Sequence, residues 1–594
     1  MPAQNINKVP RKLPLALLTF FTLLAVTAFY WWAYKKPNYG IDDANIYFVY
    51  MKHFAEGHGF VWTVGGERVE GFTSILWTLI GALCYKLTPA HFSFLLLALN
   101  TALTFFTIYN TLLFVRRLNG TTGKAIVLTD VLILALLFLP LGFIEWSLLT
   151  LMETGLWIFL IVHTTLLLCN YYLSGTKVNM VLFTLMLVCM VLTRPESLLF
   201  GILFIVLLAG QTYFEKGWRA AGRQILLPIL AFAATAATLI AWRLSYFGYP
   251  LPNTYYAKVS GSVIDNLTGG TWYLLQFFHS YPHFVFMAAI MVFYNFLLIR
   301  KWKQEGRNIH LTPDEKIHIL LSFVIFFGLM IPVLTGGDHF WYSRFYQCIV
   351  PLILIQFFNL PIFNTYLAFV EPRSKYAISF AVTGAILMIL VIAKSNWISF
   401  QTRKNIFIDF NIAYKGRKFA ERMNHTFIDN GQAPSSGIVY AGGFGYAYKG
   451  ETVDLMGLNN TLMAHANKRK VGRRNHASFD ISAFWKLAPD MVGMTYSVEI
   501  VKDPSRFIIP ENYSSFKESF TYNAYKKIFD EPLFIQTYKP AVVKLKSDAD
   551  YLFAYYHVNF LNTLDKTKYD IMVFPRFPIT HKANGTTGWK SAIN

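Results

Sequence analysis

Uninterrupted apolar runs of about twenty residues recur through the first two thirds of this chain, and a helix of that length matches the hydrocarbon thickness of a bilayer. The runs fall near 13–33, 91–115, 125–144, 152–172, 179–193, 196–212, 224–244, 281–300, 317–334, 345–366 and 376–394. They predict a polytopic α-helical membrane protein with about eleven transmembrane helices. Composition agrees: of 594 residues, 55% are hydrophobic and 14% charged, proportions foreign to a soluble globular chain. After residue 394 the sequence changes character, with more Lys, Asn and Asp and short β-like runs. The expected division is a membrane domain, 1–394, followed by a C-terminal α/β domain, 395–594.

Loop charge orients the spans, because cytoplasmic loops collect Lys and Arg. The stretch "TSILWTLIGALCYKLT" (73–88) is short for a span and is placed as an interfacial helix within a first external loop, 34–90. The loops holding Arg116, Arg117 and Lys124, then Lys177, then Lys216, Arg219 and Arg223, then Arg300, Lys301, Lys303 and Arg307, then Arg373 and Lys375 all then face the cytoplasm. Counting 73–88 as a span inverts every later loop. The spans 179–193 and 196–212 are divided only by "TRPES"; one long kinked helix is the alternative. Lys8, Arg11 and Lys12 precede a long apolar run with no A-x-A-like site, which predicts an uncleaved first span. The net charge of +20 then reflects topology and a basic C-terminal region, and no nucleic-acid partner is expected. Cys84, Cys169, Cys189 and Cys348 all lie in apolar runs without metal-ligand spacing and are expected as packing residues.

This topology gathers the unexplained polar motifs on the external face. In "GIDDANIY", Asp42 and Asp43 precede a helical pattern of Ile46, Val49, Tyr50, His53 and Phe54. A helix N-cap explains one carboxylate. A second beside a membrane fits a general base or a metal ligand. Glu145 and Glu153 flank a turn in "EWSLLTLMETGLW", and Glu153 either caps or pairs at a helix start or faces a substrate. In "LTRPESLL", Arg194 and Glu196 make a local ion pair, or Arg194 binds a lipid phosphate. "PNTYYAKV" offers Asn253, Tyr255, Tyr256 and Lys258, as an aromatic belt with a snorkelling lysine or as a sugar site. "TGGDHFWYSRF" collects Asp338, His339, Trp341, Tyr342 and Arg344 after a Gly-Gly turn, which suits an anion or a sugar. Further on, "SGIVYAGGFGYAYKGETVDLMGLNN" reads as strand, glycine-rich turn, short strand and loop. Its "AGGFG" lacks dinucleotide-site spacing. "AYKGRKFAERMNHTF" reads as a helix, "PDMVGMTYSV", "AVVKLKS" and "YDIMVF" as strands, and "NKRKVGRRN" (467–475) as a solvated basic loop. No Walker A, HExxH or GxSxG motif occurs.

Taken in order, "DDANIYFVYMKHFAEGHGFVWTVGGERVEGFTSILW", "METGLW", "LTRPES", "PNTYYAKV", "GGDH…RF" and "VDLMGLNNTLMAH" resemble membrane glycosyltransferases of the GT-C fold. The likeness is greatest to the mycobacterial terminal arabinofuranosyltransferase and its Gram-negative relatives. It runs from about residue 40 to 350 and again near 438–466, with Phe72 where that family usually has Tyr. The resemblance implies a polyprenyl-phosphate sugar donor and a hydroxyl acceptor on an envelope glycan, glycolipid or glycoprotein. It implies a site on the outer face of the cytoplasmic membrane, with a periplasmic C-terminal domain. The sugar it suggests is arabinofuranose, transferred with inversion. By position Asp42 or Asp43 is the base, with Asp42 favoured. Cations stabilise a leaving phosphate, for which Arg194, Lys258 and Arg344 are the candidates. Glu153, Glu196, Asn253, Tyr255, Tyr256, Asp338, His339 and Tyr342 are expected to touch substrate. No metal or other cofactor is expected. A transporter or a non-catalytic envelope receptor is the rival reading; a transporter favours internal repeats and midplane polar residues, and neither is visible.

Overall fold

The computed structural model describes residues 12–34, 39–119, 124–174, 179–305, 311–361, 404–467, 470, 476–493, 500–508, 520–575 and 579–580. Helix α1 (Lys12–Tyr34) precedes a loop containing α2 (Asp42–Ala55) and α3 (Ile75–Leu87). There follow α4 (Phe92–Asn119), α5 (Lys124–Phe138), α6 (Thr154–Ser174), α7 (Met180–Thr193), α8 (Ser197–Lys216), α9 (Trp218–Phe247) and α10 (Asn253–Lys258). Then come α11 (Val263–Ser280), α12 (Pro282–Glu305), α13 (Pro313–Leu334) and α14 (Val350–Phe358). Among the described residues six helices, α4, α6, α8, α9, α12 and α13, are long and apolar enough to cross a membrane. Their outward faces need lipid. Only 11% of the most apolar stretch of α9 is buried, and Leu226, Leu230 and Leu244 project from it. Val292 and Phe293 do the same on α12. Apolar surface on this scale is not tolerated in water, and the chain is a multi-pass membrane protein.

Beside these six, shorter apolar helices lie within α1, α3, α5 and α7. Where 125–144 was expected to cross, α5 stops at Phe138, and a bend leads into a π-helical turn, Glu145–Leu149. The expected span 345–366 opens instead as a 3₁₀ turn, Arg344–Tyr346, and becomes helical only at Val350, where Pro351 suits a helix start. Every side chain of α14 is buried, so this helix is internal to the bundle. The span at 376–394 lies outside the described residues. The helices α7 and α8 are separate, because Arg194 is extended (φ −153°, ψ 144°) before Pro195. An additional amphipathic helix, α11, was not anticipated. One end follows Lys258, and at the other Tyr281 donates its hydroxyl hydrogen bond to the Leu141 carbonyl. Both ends therefore lie on the side of the bundle that carries the α5–α6 connection.

The C-terminal region is α/β, as expected. Helix α15 (Lys404–Thr426) leads to a seven-stranded mixed sheet. Its strands include β1 (Ser436–Ile438), β2 (Thr452–Asp454), β3 (Met491–Val492), β4 (Ile500–Val501), β6 (Tyr538–Leu545), β7 (Tyr551–His557) and β8 (Tyr569–Val573). The order is β2-β1-β3-β7-β6-β8, with β4 also on β7. A two-stranded ladder joins β5 (Phe507–Ile508) to β9 (Ile579–Thr580). The reading of "AGGFG" as a turn is corrected: Ala441–Ala447 is a helix, α16. Three glycines weaken a helix in isolation, but packing overrides propensity here, for reasons given below. The basic loop 467–475 falls almost wholly outside the described residues.

Candidate active site

The site forms where the first turn of α2 meets four inter-helix loops. Ile41, not an aspartate, is the N-cap residue of α2, and no side chain caps it. The turn is instead pinned by neighbours. The Ile41 N–H donates to the Thr150 carbonyl (3.3 Å). The Asn45 amide donates to the carbonyls of Tyr39 and Ile41, both 2.8 Å, and its oxygen accepts from Arg417 of α15. The N-cap explanation of one carboxylate is thereby overturned: Asp42 and Asp43 occupy the first two helical positions and point to different partners.

Asp42 is buried, and its two oxygens accept the backbone N–H groups of Gly442 (3.1 Å) and Gly443 (2.8 Å) at the start of α16. Burial pushes its pKa up to about 7, against the pull of those two donors. Asp43 is partly open, its side chain 22% exposed, and lies 3.3 Å from the Lys258 ammonium. Burial opposes its ionisation, yet Lys258, then His339 and Arg344, hold it below the usual carboxylate range. Asp43 is therefore a carboxylate at neutral pH, and Asp42 sits near its midpoint.

Behind Asp43 two guanidinium groups share one aromatic ring. Arg344 pairs with Asp338 (2.7 Å), which also holds His339 (3.2 Å). Arg194 pairs with Glu196 (3.0 Å) and with Glu153. The Phe345 ring lies 4.7 Å from the Arg194 guanidinium and 4.9 Å from that of Arg344. Trp157 covers Arg194, and Trp146 and Phe340 cover Arg344. Each cation is thus paired with a carboxylate and faces π-density, which offsets the cost of burial. Tyr342 and Ser343, with φ of 61° and 47°, adopt left-handed backbone rarely accepted by such residues. This bend carries the chain from Asp338 round to Arg344, where the two pair.

The structure thus brings together Asp43, Glu153, Arg194, Glu196, Lys258, Asp338, His339 and Arg344. Asn253 belongs elsewhere: its amide donates to the carbonyls of Gly457 (2.7 Å) and Leu458 (3.0 Å) and ties α10 to the C-terminal domain. The Tyr256 ring packs at a tilt against that of His465 (centroids 4.4 Å apart), while Tyr255 and Trp341 are exposed. Glu145 is buried and accepts the Gly142 N–H (2.8 Å). Sequence reasoning missed Asp409 of α15. Burial, with Asp43, Asp42 and Asp338 facing it, holds that carboxyl well above the ordinary range. It also missed His476, whose ring is 4.6 Å from that of His339. Neither stands in a motif. Among the described residues no group of three or more His, Cys, Asp or Glu side chains is arranged to hold a metal ion.

No protein-family model matches the chain, and no curated protein matches it. Solved structures similar to it include the oligosaccharyltransferase AglB from Archaeoglobus fulgidus, in complex with an inhibitory peptide and a dolichol-phosphate. That match has a TM-score of 0.44 and 12% identity over 91% of this chain and 72% of the other. The apo form of the A. fulgidus oligosaccharyltransferase gives a TM-score of 0.46 and 12% identity over 97% and 77%. ArnT from Cupriavidus metallidurans, bound to undecaprenyl phosphate, gives 0.43 and 12% over 91% and 97%.

Proposed function

We propose that this protein is a GT-C-type membrane glycosyltransferase. It moves a single sugar from a polyprenyl-phosphate donor to a hydroxyl of an envelope glycan, glycolipid or glycoprotein, at the external face of the cytoplasmic membrane. The observation that carries the reading is Asp43: an accessible, ionised carboxylate beside Lys258, at a junction of loops on one side of a helical bundle. The motif resemblance described above suggests arabinofuranose as the sugar.

In this reading the acceptor oxygen attacks the anomeric carbon while its proton passes to Asp43. The bond from that carbon to the phosphate oxygen breaks, and its electron pair leaves with polyprenyl phosphate, inverting the centre. Lys258, 21% exposed, is the cation best placed to meet the phosphate, with Arg344 behind it. Arg194 already holds two carboxylates, so its role is to brace the Phe345 wall. Asp43 is preferred over Asp42 as base because both oxygens of Asp42 are occupied by backbone donors.

The test is transfer of label from a labelled polyprenyl-phosphate sugar by the reconstituted protein. Asp43→Asn should abolish transfer while leaving donor binding measurable. Transfer at more than about half the wild-type rate would remove Asp43 as the base. A transporter or receptor would show no transfer with any donor.

A further inference from the structure

The glycine-rich helix α16 takes no part in the chemistry above, yet it is built onto the helix that carries Asp43. A Cβ on Gly442 would lie 1.8 Å from the backbone oxygen of Asp42. One on Gly443 would lie 2.1 Å from the Ala413 carbonyl oxygen of α15, and one on Gly445 2.4 Å from the Trp62 indole. No side chain larger than hydrogen fits at these three places unless the neighbours move. The absence of side chains lets α16 lie between α2 and α15 with its first amides on the Asp42 carboxylate. Successive residues of a helix project about 100° apart. Anchoring Asp42 to α16 therefore fixes the rotation of the first turn and aims Asp43 sideways, towards Lys258. Other contacts hold the same two surfaces together. The Trp62 indole N–H donates to the Thr452 carbonyl (3.2 Å), and the Tyr50 hydroxyl donates to Asn459 (3.1 Å).

We infer that Asp42 is a positioning residue, and that the docking of α16 on its carboxylate sets the aim of Asp43. The C-terminal domain is then a fixed wall of the active site. The inference rests on Asp43 as the base, and the experiment separates the two claims. Asp42→Asn and Gly442→Ala break one contact from opposite sides, and Gly442→Ala does so with Asp42 intact. Each should lower kcat roughly 10- to 100-fold while the donor KM stays within about two-fold. The double variant should be no slower than the slower single, because both changes remove the same interaction. Hydrogen exchange over 441–447 should rise in both singles. Tyr50→Phe, which loosens the same surface away from α16, should leave kcat unchanged. Full kcat in Asp42→Asn beside an inactive Asp43→Asn overturns the inference, as do multiplicative losses in the double variant. Retained transfer in Asp43→Asn overturns the assignment of the base instead.

Discussion

Asp42 and Asp43 show how far adjacent carboxylates diverge when their partners differ. Asp43 is kept ionised chiefly by Lys258. Lys258→Gln removes that influence, so the Asp43 pKa should rise and the acid limb of the pH–rate profile should move towards neutral. An unmoved limb would dissociate the two residues. Asp42 carries the opposite sign. Its folded pKa, about 7, exceeds the ordinary 3.8, so the buried state binds the proton more tightly. Its contribution to stability is complete below about pH 4 and is lost as pH rises through about 7. The charged groups facing it are Asp43 on α2, Asp454 on β2, and Asp409 and Arg417 on α15. Thermal unfolding between pH 4 and 8 should show this slope in the wild type and a shallower one in Asp42→Asn. The sequence displayed the acidic pair and its proximity to a membrane. It did not display which acid faces the cleft, because the deciding partner, Gly442, lies 400 residues further along.

Among the elements, the long apolar helices were legible because twenty apolar residues in a row have few other fates. The misjudged elements are those that tertiary contacts define. Helix α14 is buried on every side, so its apolarity serves the bundle interior. Helix α16 has the composition of a turn and is helical because α2 and α15 require its closeness. The loop between α2 and α3 was legible as a connection between spans, but its anchor was not. Glu70 receives the Arg243 guanidinium of α9 through both oxygens (2.8 Å each), with both side chains almost fully buried. Glu70→Ala leaves a buried cation without its partner, which typically costs about 3–5 kcal/mol. The melting temperature in detergent should fall, and transfer with it, since the loop belongs to the wall that holds α2. A variant with unchanged melting would show that the pair contributes only shape.

For the molecule as a whole, the loops assigned to one face by charge do converge. The connections around residues 43, 150, 194, 258 and 344 meet within one network of contacts. Such convergence requires an even number of crossings between successive loops, so the shorter apolar helices α5 and α7 cross together with the six long ones. The side of the membrane is open to direct measurement. Glu451 is exposed on the C-terminal domain, and the native cysteines lie within the apolar helices or the bundle interior. In Glu451→Cys, a membrane-impermeant maleimide should react in intact cells. Labelling only after lysis would invert the topology.

The contact between Asp42 and residues 442–443 also orders events in time. A ribosome releases α2 and most of the spans long before α16 exists, so nascent chains in the membrane carry Asp43 on a turn that lacks the contact between Asp42 and α16. If α16 sets its aim, sugar transfer should begin only once the distal domain has folded back onto α2. Chains stalled before residue 441 should remain inserted and silent.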